Sequence, residues 1–175
     1  VRRQRQMCIE TVAEDLGYVT DSVRDLVRDS GFPGMKVLEF AFDSRDSSGA
    51  GDYLPHNYTH NCVVYTGTHD NDTVMGGMTL VGADKKLCDD YLRLKNADGE
   101  PIPREQLPWE FVRAAMSSVA DLAIIPMQDY LGLGSEARIN IPSTLGINWK
   151  WRMGNGDFTK ELAGRIRSMT KLYGR

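Results

Sequence analysis

Three apolar runs in this chain each end in a polar, titratable cluster, and that repetition limits the folds open to it. GMKVLEFAF (34–42) runs into FDSRD, CVVYTGT (62–68) into THDND, and LAIIPMQDYLGLG (122–134) carries MQDYLG at its end. An earlier segment, CIETVAEDLG (8–17), reads as a short strand closed by acids and a Gly turn. CVVYTGT is too apolar to keep one face in water, the mark of a strand buried on both faces in a parallel sheet. Helical patterns lie between. SVRDLVRDSG puts Val23, Leu26 and Val27 at the i, i+3, i+4 spacing of one face. Thr20 or Asp21 caps that helix, and Gly31 and Pro33 stop it.

PWEFVRAAMSSVA (108–120) is a second helix, with Pro108 in its first turn. Residues 157–173 form a closing amphipathic helix whose expected buried side is Leu162, Ile166, Met169 and Leu172. Residues 73–98 are expected to hold one helix and a charged turn, NADGEPIP a loop, and 135–153 an ordered loop. Alternation of strands with helices predicts a parallel α/β architecture. The polar clusters then share one place, the C-terminal edge of the sheet, where such folds build their sites. Four strands make about half of an eight-stranded barrel.

Bulk properties remove other classes. The 175 residues suffice for one domain with a sizeable core. A net charge of −3 lacks the basic excess of a nucleic-acid binder. No apolar run reaches the roughly 18–20 residues of a membrane span. Cys8, Cys62 and Cys88 are scattered, with no CxxC pair. They fit a reducing compartment rather than structural zinc or a disulfide framework. VRRQRQM has no initiator Met and no apolar signal core, so the expectation is part of a longer, non-secreted chain.

Thr68-His69-Asp70-Asn71-Asp72 raises the sharpest chemical question, and the residues alone leave three answers open. His56, His60 and the His69-Asp70 pair are the spread ligands a metal-dependent phosphohydrolase would use, though such pairs usually sit on helices and the donor count is marginal. Asn71 and Asp72 suit a turn that caps the next helix. Glu14 and Asp70 each follow a strand and can converge as paired carboxylates: one delivers a proton to a departing oxygen, the other meets a developing oxocarbenium charge. An acid near a helix start, stabilised by the dipole, is the plainer reading of Glu14.

The strings AEDLG, GFPGMKVLEFAFD, YLPHNY, VVYTGTHDNDT, SVADLAIIPMQDYLGLGSEARINIPST and NWKWR together resemble the 4-alpha-glucanotransferases, the amylomaltases or disproportionating enzymes of glycoside hydrolase family 77. The resemblance covers about residues 12–153, and the tail LYGR resembles plant plastid forms. It implies an α-amylase-like (β/α)8 barrel. Residues 1–175 would be the C-terminal portion of that single barrel, strands five to eight plus a C-terminal helix, with the upstream half absent. It places Glu14 on the general acid/base, Asp70 on the aspartate that stabilises the transition state, and His69 on the histidine that bonds the sugar beside the cleaved linkage. Asp43, Gln128, Asn148 and Trp149 fall on substrate contacts or the site wall. It implies α-1,4-glucans and malto-oligosaccharides as substrates, glucose as an acceptor, and no metal or other cofactor. The compartment expected is cytoplasm or plastid stroma, without nucleic-acid or membrane partners; the oligomeric state stays open.

Two departures stand out. The family's attacking aspartate lies in a motif like RIDHFRG, which this sequence lacks, so residues 1–175 carry two of three catalytic carboxylates. The family's aromatic pair, as in GWW, is replaced at Gly76-Gly77-Met78. The long segment 43–61, with Tyr53, His56 and Tyr58, is expected either to wall off the site or to be a plain surface loop. Two other functions fit the same residues: a glucan-binding chain without catalysis, and a hydrolase of the same barrel class.

Overall fold

The computed structural model describes residues 12–17, 19–43, 50–78 and 82–175. Its centre is a parallel sheet of β1 (Gly34–Val37), β2 (Cys62–Tyr65) and β3 (Leu122–Ile124), in that spatial order. Met35 lies opposite Val63, and Val64 opposite Ala123. The strand expected over 8–17 falls partly outside the described residues. Within them, Ala13 makes a parallel bridge to Gly34 and donates its N–H to Pro33 O at 2.9 Å. Cys62, Val63 and Val64 are buried, as an apolar run between two neighbours requires.

Each strand is shorter than its apolar run. After Val37 the chain tightens into a 3-10 segment, Leu38–Phe42, which buries Leu38, Ala41 and Phe42. Phe42 meets Phe111 edge-on at 5.9 Å, so this part of the run packs behind the sheet instead of extending it. Beyond β3, Pro126 cannot donate to a ladder, and α5 (Met127–Leu131) begins directly after it. Gly132, at φ 67°, ends that helix in the left-handed conformation.

α1 (Asp21–Ser30) ends at Gly31, φ 70°, as expected; Thr20 stands at its N-cap position but makes no side-chain cap hydrogen bond. Among the described residues, Val23 and Leu26 on its apolar face stay 40% and 68% exposed, and Val27 is half-buried. Residues 73–98 hold two helices rather than one, α2 (Val74–Gly77) and α3 (Gly82–Tyr91). Gly76 and Gly77 have poor helix propensity, and α2 ends there after one turn. A Cβ on Gly76 would lie 2.3 Å from Ser135 Oγ and 2.7 Å from Ser135 N, so glycine permits a close backbone approach. NADGEPIP closes a turn: Asn96 Oδ1 accepts from the N–H groups of Asp98 and Glu100, and Lys95 pairs with Pro101.

α4 (Leu107–Met116) is the principal core helix and buries Trp109, Phe111, Val112 and Ala115. α6 (Lys160–Leu172), capped by Thr159, lays Leu162, Ile166, Met169 and Tyr173 on Trp109, Val112 and Met116. Leu172, expected on that buried side, is 74% exposed. At roughly 100° per residue it falls about 80° off the stripe centred on Leu162, whereas Tyr173 falls within about 20° of it. Residues 135–153 are an ordered loop with one 3-10 turn, Ser135–Ala137. Among the described residues β3 has no strand on its far side, and Leu122 and Ile124 are exposed there.

Candidate functional site

A cavity of about 830 Å³ opens at the C-terminal edge of the sheet. Glu14, Phe40, Tyr65, His69, Asp70 and Gln128 are among its lining residues. Glu14 arrives from the bridge beside β1, His69 and Asp70 from the loop after β2, and Gln128 from α5 after β3. Parallel pairing aligns these ends, which is why residues 114 positions apart in sequence line one space.

The loop after β2 is held by its own polar side chains. Asn71 Oδ1 accepts from Thr68 N at 2.9 Å and Thr68 Oγ1 at 2.8 Å. Asp72 Oδ1 accepts from Thr73 N at 2.7 Å. The turn chemistry expected of Asn71 and Asp72 is therefore present, but the helix cap is Thr73, whose Oγ1 accepts from Gly76 N at 3.0 Å. His69 and Asp70, which the turn does not use, remain half exposed on the cavity side, with His69 Nε2 3.3 Å from Asp70 Oδ1.

A second loop clasps the first. Asn140 Nδ2 donates to Asp70 Oδ1 at 2.5 Å, and Asn140 N donates to His69 O at 3.2 Å. Arg138 Nη2 donates to Asp70 O at 2.7 Å, and Ser135 Oγ donates to Asp72 Oδ2 at 2.7 Å. Trp149 places its ring 5.1 Å from the His69 ring. Its backbone stands at φ 66°, and its N–H donates to Ile139 O at 2.7 Å.

The other expected contacts divide. Gln128 is buried on the cavity wall and donates to Ala137 O at 3.2 Å. Asn148 braces its own loop: Oδ1 accepts from Ile141 N at 3.1 Å, and Nδ2 donates to Thr144 O at 3.1 Å. Asp43 follows the 3-10 segment, half-buried, and is not among the lining residues. Of segment 43–61, expected either to wall off the site or to be a plain surface loop, the described residues Tyr53 and Tyr58 do not line the cavity. Both are buried in the core, Tyr58 donating its hydroxyl to Tyr53 O at 2.6 Å. Phe40 meets Tyr53 edge-on at 5.4 Å. Large rings in a Gly-rich segment served packing, which the segment's polar composition had obscured. His56 is spent on Tyr91, Nδ1 to hydroxyl 3.0 Å.

Beneath the loop lies an acidic group that composition alone did not reveal. Asp129 is buried, accepting from Thr66 Oγ1 at 2.5 Å and Val74 N at 2.9 Å. Glu39 Oε1 is buried and, among the described residues, has no hydrogen-bond partner. Burial, then Asp129 and Asp72, hold the Glu39 carboxyl well above the usual carboxylate range, with Arg138 pulling the other way. The alternation of VLEFAF was the available signal: Glu39 sits inside an apolar run. Burial also pushes the thiols up, Cys62 to about 11 and Cys88 to about 12, so neither is a thiolate nucleophile at neutral pH. Cys8 lies outside the described residues. Among the described residues no group of three or more His, Cys, Asp or Glu is placed to hold a metal ion, and no helix is long and apolar enough to cross a membrane.

Known proteins share this sequence and fold. The family model described as 4-alpha-glucanotransferase matches residues 2–157. A 4-alpha-glucanotransferase of Clostridium butyricum is 48% identical over 95% of this chain and 33% of its own length. A chloroplastic/amyloplastic 4-alpha-glucanotransferase of Arabidopsis thaliana is 44% identical over 95% of this chain and 28% of its own. An amylomaltase from Streptococcus agalactiae, solved in complex with acarbose, superposes at TM-score 0.79 and 36% identity over 94% of this chain and 32% of that one. The chain thus spans about a third of the length of the relatives it matches. The α/β fragment with its parallel sheet, the cavity at the sheet edge and these matches together show that the chain belongs to the 4-alpha-glucanotransferase (amylomaltase) family, glycoside hydrolase family 77.

Proposed function

We propose that the complete polypeptide carrying this chain is a retaining 4-alpha-glucanotransferase that moves α-1,4-glucan segments between malto-oligosaccharides or onto glucose. The observation that carries the reading is that Glu14, His69 and Asp70 line one cavity. Residues 1–175 are then the fifth to eighth strands of a (β/α)8 barrel with its closing helix. The upstream strands complete the cavity and supply the attacking aspartate. The relatives, bacterial or chloroplastic, suit an enzyme of the cytoplasm or plastid stroma.

The chemistry assigned to this chain's residues follows from their types. The upstream aspartate attacks the anomeric carbon and forms a glycosyl ester as the glycosidic C–O bond breaks. Glu14 gives its proton to the departing oxygen. Glu14, now a base, takes the proton of an acceptor 4-hydroxyl, whose oxygen displaces the aspartate, and two inversions give retention. Asp70 stabilises the developing positive charge, and His69 holds a sugar hydroxyl beside it. Gln128, Asp43, Asn148 and Trp149 are assigned as substrate contacts or site wall. No metal or organic cofactor takes part.

Incubating the complete protein with maltotriose, with and without a chelator, tests this. The expected products are glucose together with chains longer than the donor, unaffected by chelation. Shorter chains alone, with a matching rise in reducing ends, would mark a hydrolase. No turnover despite glucan binding would mark a non-catalytic binder.

A further inference from the structure

We propose that Arg138 is a positioning residue for Asp70: its guanidinium fixes the spacing between the Asp70 and Asn140 backbones and so aims the Asp70 carboxylate. The proposal rests on the reading of Asp70 as the group that meets the transition state.

The contacts form a closed circuit. Arg138 Nη2 donates to Asp70 O at 2.7 Å, while Arg138 Nε donates to Asn140 O at 2.8 Å. Asn140 Nδ2 then returns to Asp70 Oδ1 at 2.5 Å. One rigid, planar fork therefore spans the main chains of two residues whose side chains bond each other. Both side-chain contacts to Asp70, from Asn140 and from His69 Nε2, fall on Oδ1. Among the described residues, they leave Oδ2 as the carboxylate oxygen for a ligand.

An ordinary charge-pairing role fits the distances poorly. Arg138 Nη1 stands 3.9 Å from Asp72 Oδ2, beyond hydrogen-bond reach, whereas its two carbonyl contacts are under 3 Å. Asp72 Oδ2 is already taken by Ser135 Oγ at 2.7 Å. Among the described residues the buried Glu39 Oε1 has no hydrogen-bond partner, so the guanidinium does not reach it as a donor. The cation is spent on neutral carbonyls, which is costly as electrostatics and sensible as geometry. Residues 68–72 and 138–140 lie beyond the ends of β2 and β3, where no ladder supplies donors to main-chain oxygens. A guanidinium can serve two such oxygens at a fixed separation, and an ammonium cannot.

The consequence falls on the rate more than on substrate affinity. A displacement of about 1 Å in a transition-state group can cost about 100-fold in rate. In the complete protein, with maltotriose as donor, Arg138→Ala is expected to lower kcat about 100-fold. Arg138→Lys is expected to lower it at least about 10-fold, with KM within about twofold in both. Arg138→Lys keeps the charge and the aliphatic stem, so it decides the matter if the alanine variant does not fold. Asp70→Asn and the double variant complete a cycle. Loss of the Arg138→Lys effect in the Asp70→Asn background supports positioning through Asp70; an equal further loss there overturns it, as does a kcat within twofold of the parent in Arg138→Lys. An effect seen only as a lower melting temperature or a raised KM also overturns it. Near-parental turnover in Asp70→Asn itself would instead remove the underlying reading of Asp70.

Discussion

Thr66 Oγ1 donates to one oxygen of the buried Asp129 carboxylate at 2.5 Å, and the other oxygen accepts the Val74 N–H at 2.9 Å. One side chain from α5 thereby fastens the end of β2 to the start of α2, the two ends of the loop that carries His69 and Asp70. Asp129→Ala leaves a hydroxyl and an amide unpaired in the interior. It is expected to cost about 3 kcal/mol in a urea titration of the complete protein. Asp129→Asn keeps an acceptor for Val74 and a donor that a rotated Thr66 hydroxyl can accept, so about 1 kcal/mol is expected. Equal losses in the two variants would contradict this account.

Glu39 gives stability an unusual pH dependence. Burial and the Asp129 and Asp72 charges raise its folded pKa well above the unfolded value, so the folded state holds a proton that the unfolded chain releases. This contribution is fully present below the unfolded pKa and is lost as pH rises towards the folded one. Glu39→Gln cannot titrate. It is expected to stabilise the protein by about 1–3 kcal/mol at pH 8 and to matter little at pH 4. Denaturation midpoints of the two proteins that stay parallel from pH 4 to pH 8 would refute the assignment.

Gly76 is expected to tolerate no side chain without local movement. Its added Cβ would sit 2.3 Å from Ser135 Oγ and 2.7 Å from the Ser135 backbone N. The serine can turn away, but the backbone cannot. Gly76→Ala should cost about 1–3 kcal/mol and reduce turnover as well, since Ser135 ties its loop to Asp72. A melting temperature unchanged within a degree would show that the loop yields freely.

Glu14→Gln and Asp70→Asn, made in the complete protein, should each lower kcat by about 1,000-fold or more, with melting temperature nearly unchanged. Both side chains are exposed to the cavity or its mouth, so neither substitution removes a core contact. Retained sugar binding, read by calorimetry with maltotriose, separates lost chemistry from lost structure.

Expressed alone, residues 1–175 should be inactive and should self-associate. Among the described residues β3 has an open side, and Leu122, Ile124, Val23 and Leu26 are exposed. Sedimentation together with a maltotriose assay checks both halves. A cooperative monomer with turnover would require an attacking carboxylate within these residues.

Sequence patterns carried the parallel sheet because CVVYTGT is apolar on both faces and strand-like runs alternate with helical ones. α4 and α6 were equally legible, as 3.6-residue periodicity reports directly on a one-sided helix. Strand ends were not. Whether Leu38–Phe42 extends a strand or tightens into a 3-10 turn depends on where Phe111 stands, a contact 69 residues away in sequence. Leu172 was lost to a geometric detail, the angle between positions 172 and 173. Glu14, His69 and Asp70 were findable because they interrupt or follow apolar runs. Arg138 and Asn140 were not singled out, because a loop of mixed polarity gives no periodicity to break.

Trp149 adopts φ 66°, a backbone state that ordinary side chains avoid and glycine takes freely. Its ring lies beside His69, so local discomfort and the mouth of the cavity meet at one residue. A laboratory selection for heat survival alone would favour glycine here, because the backbone relaxes and the folded state gains. A selection for sugar turnover would keep the indole. The two pressures, applied in parallel to one library, should pull this position in opposite directions and leave most of α4 untouched by either.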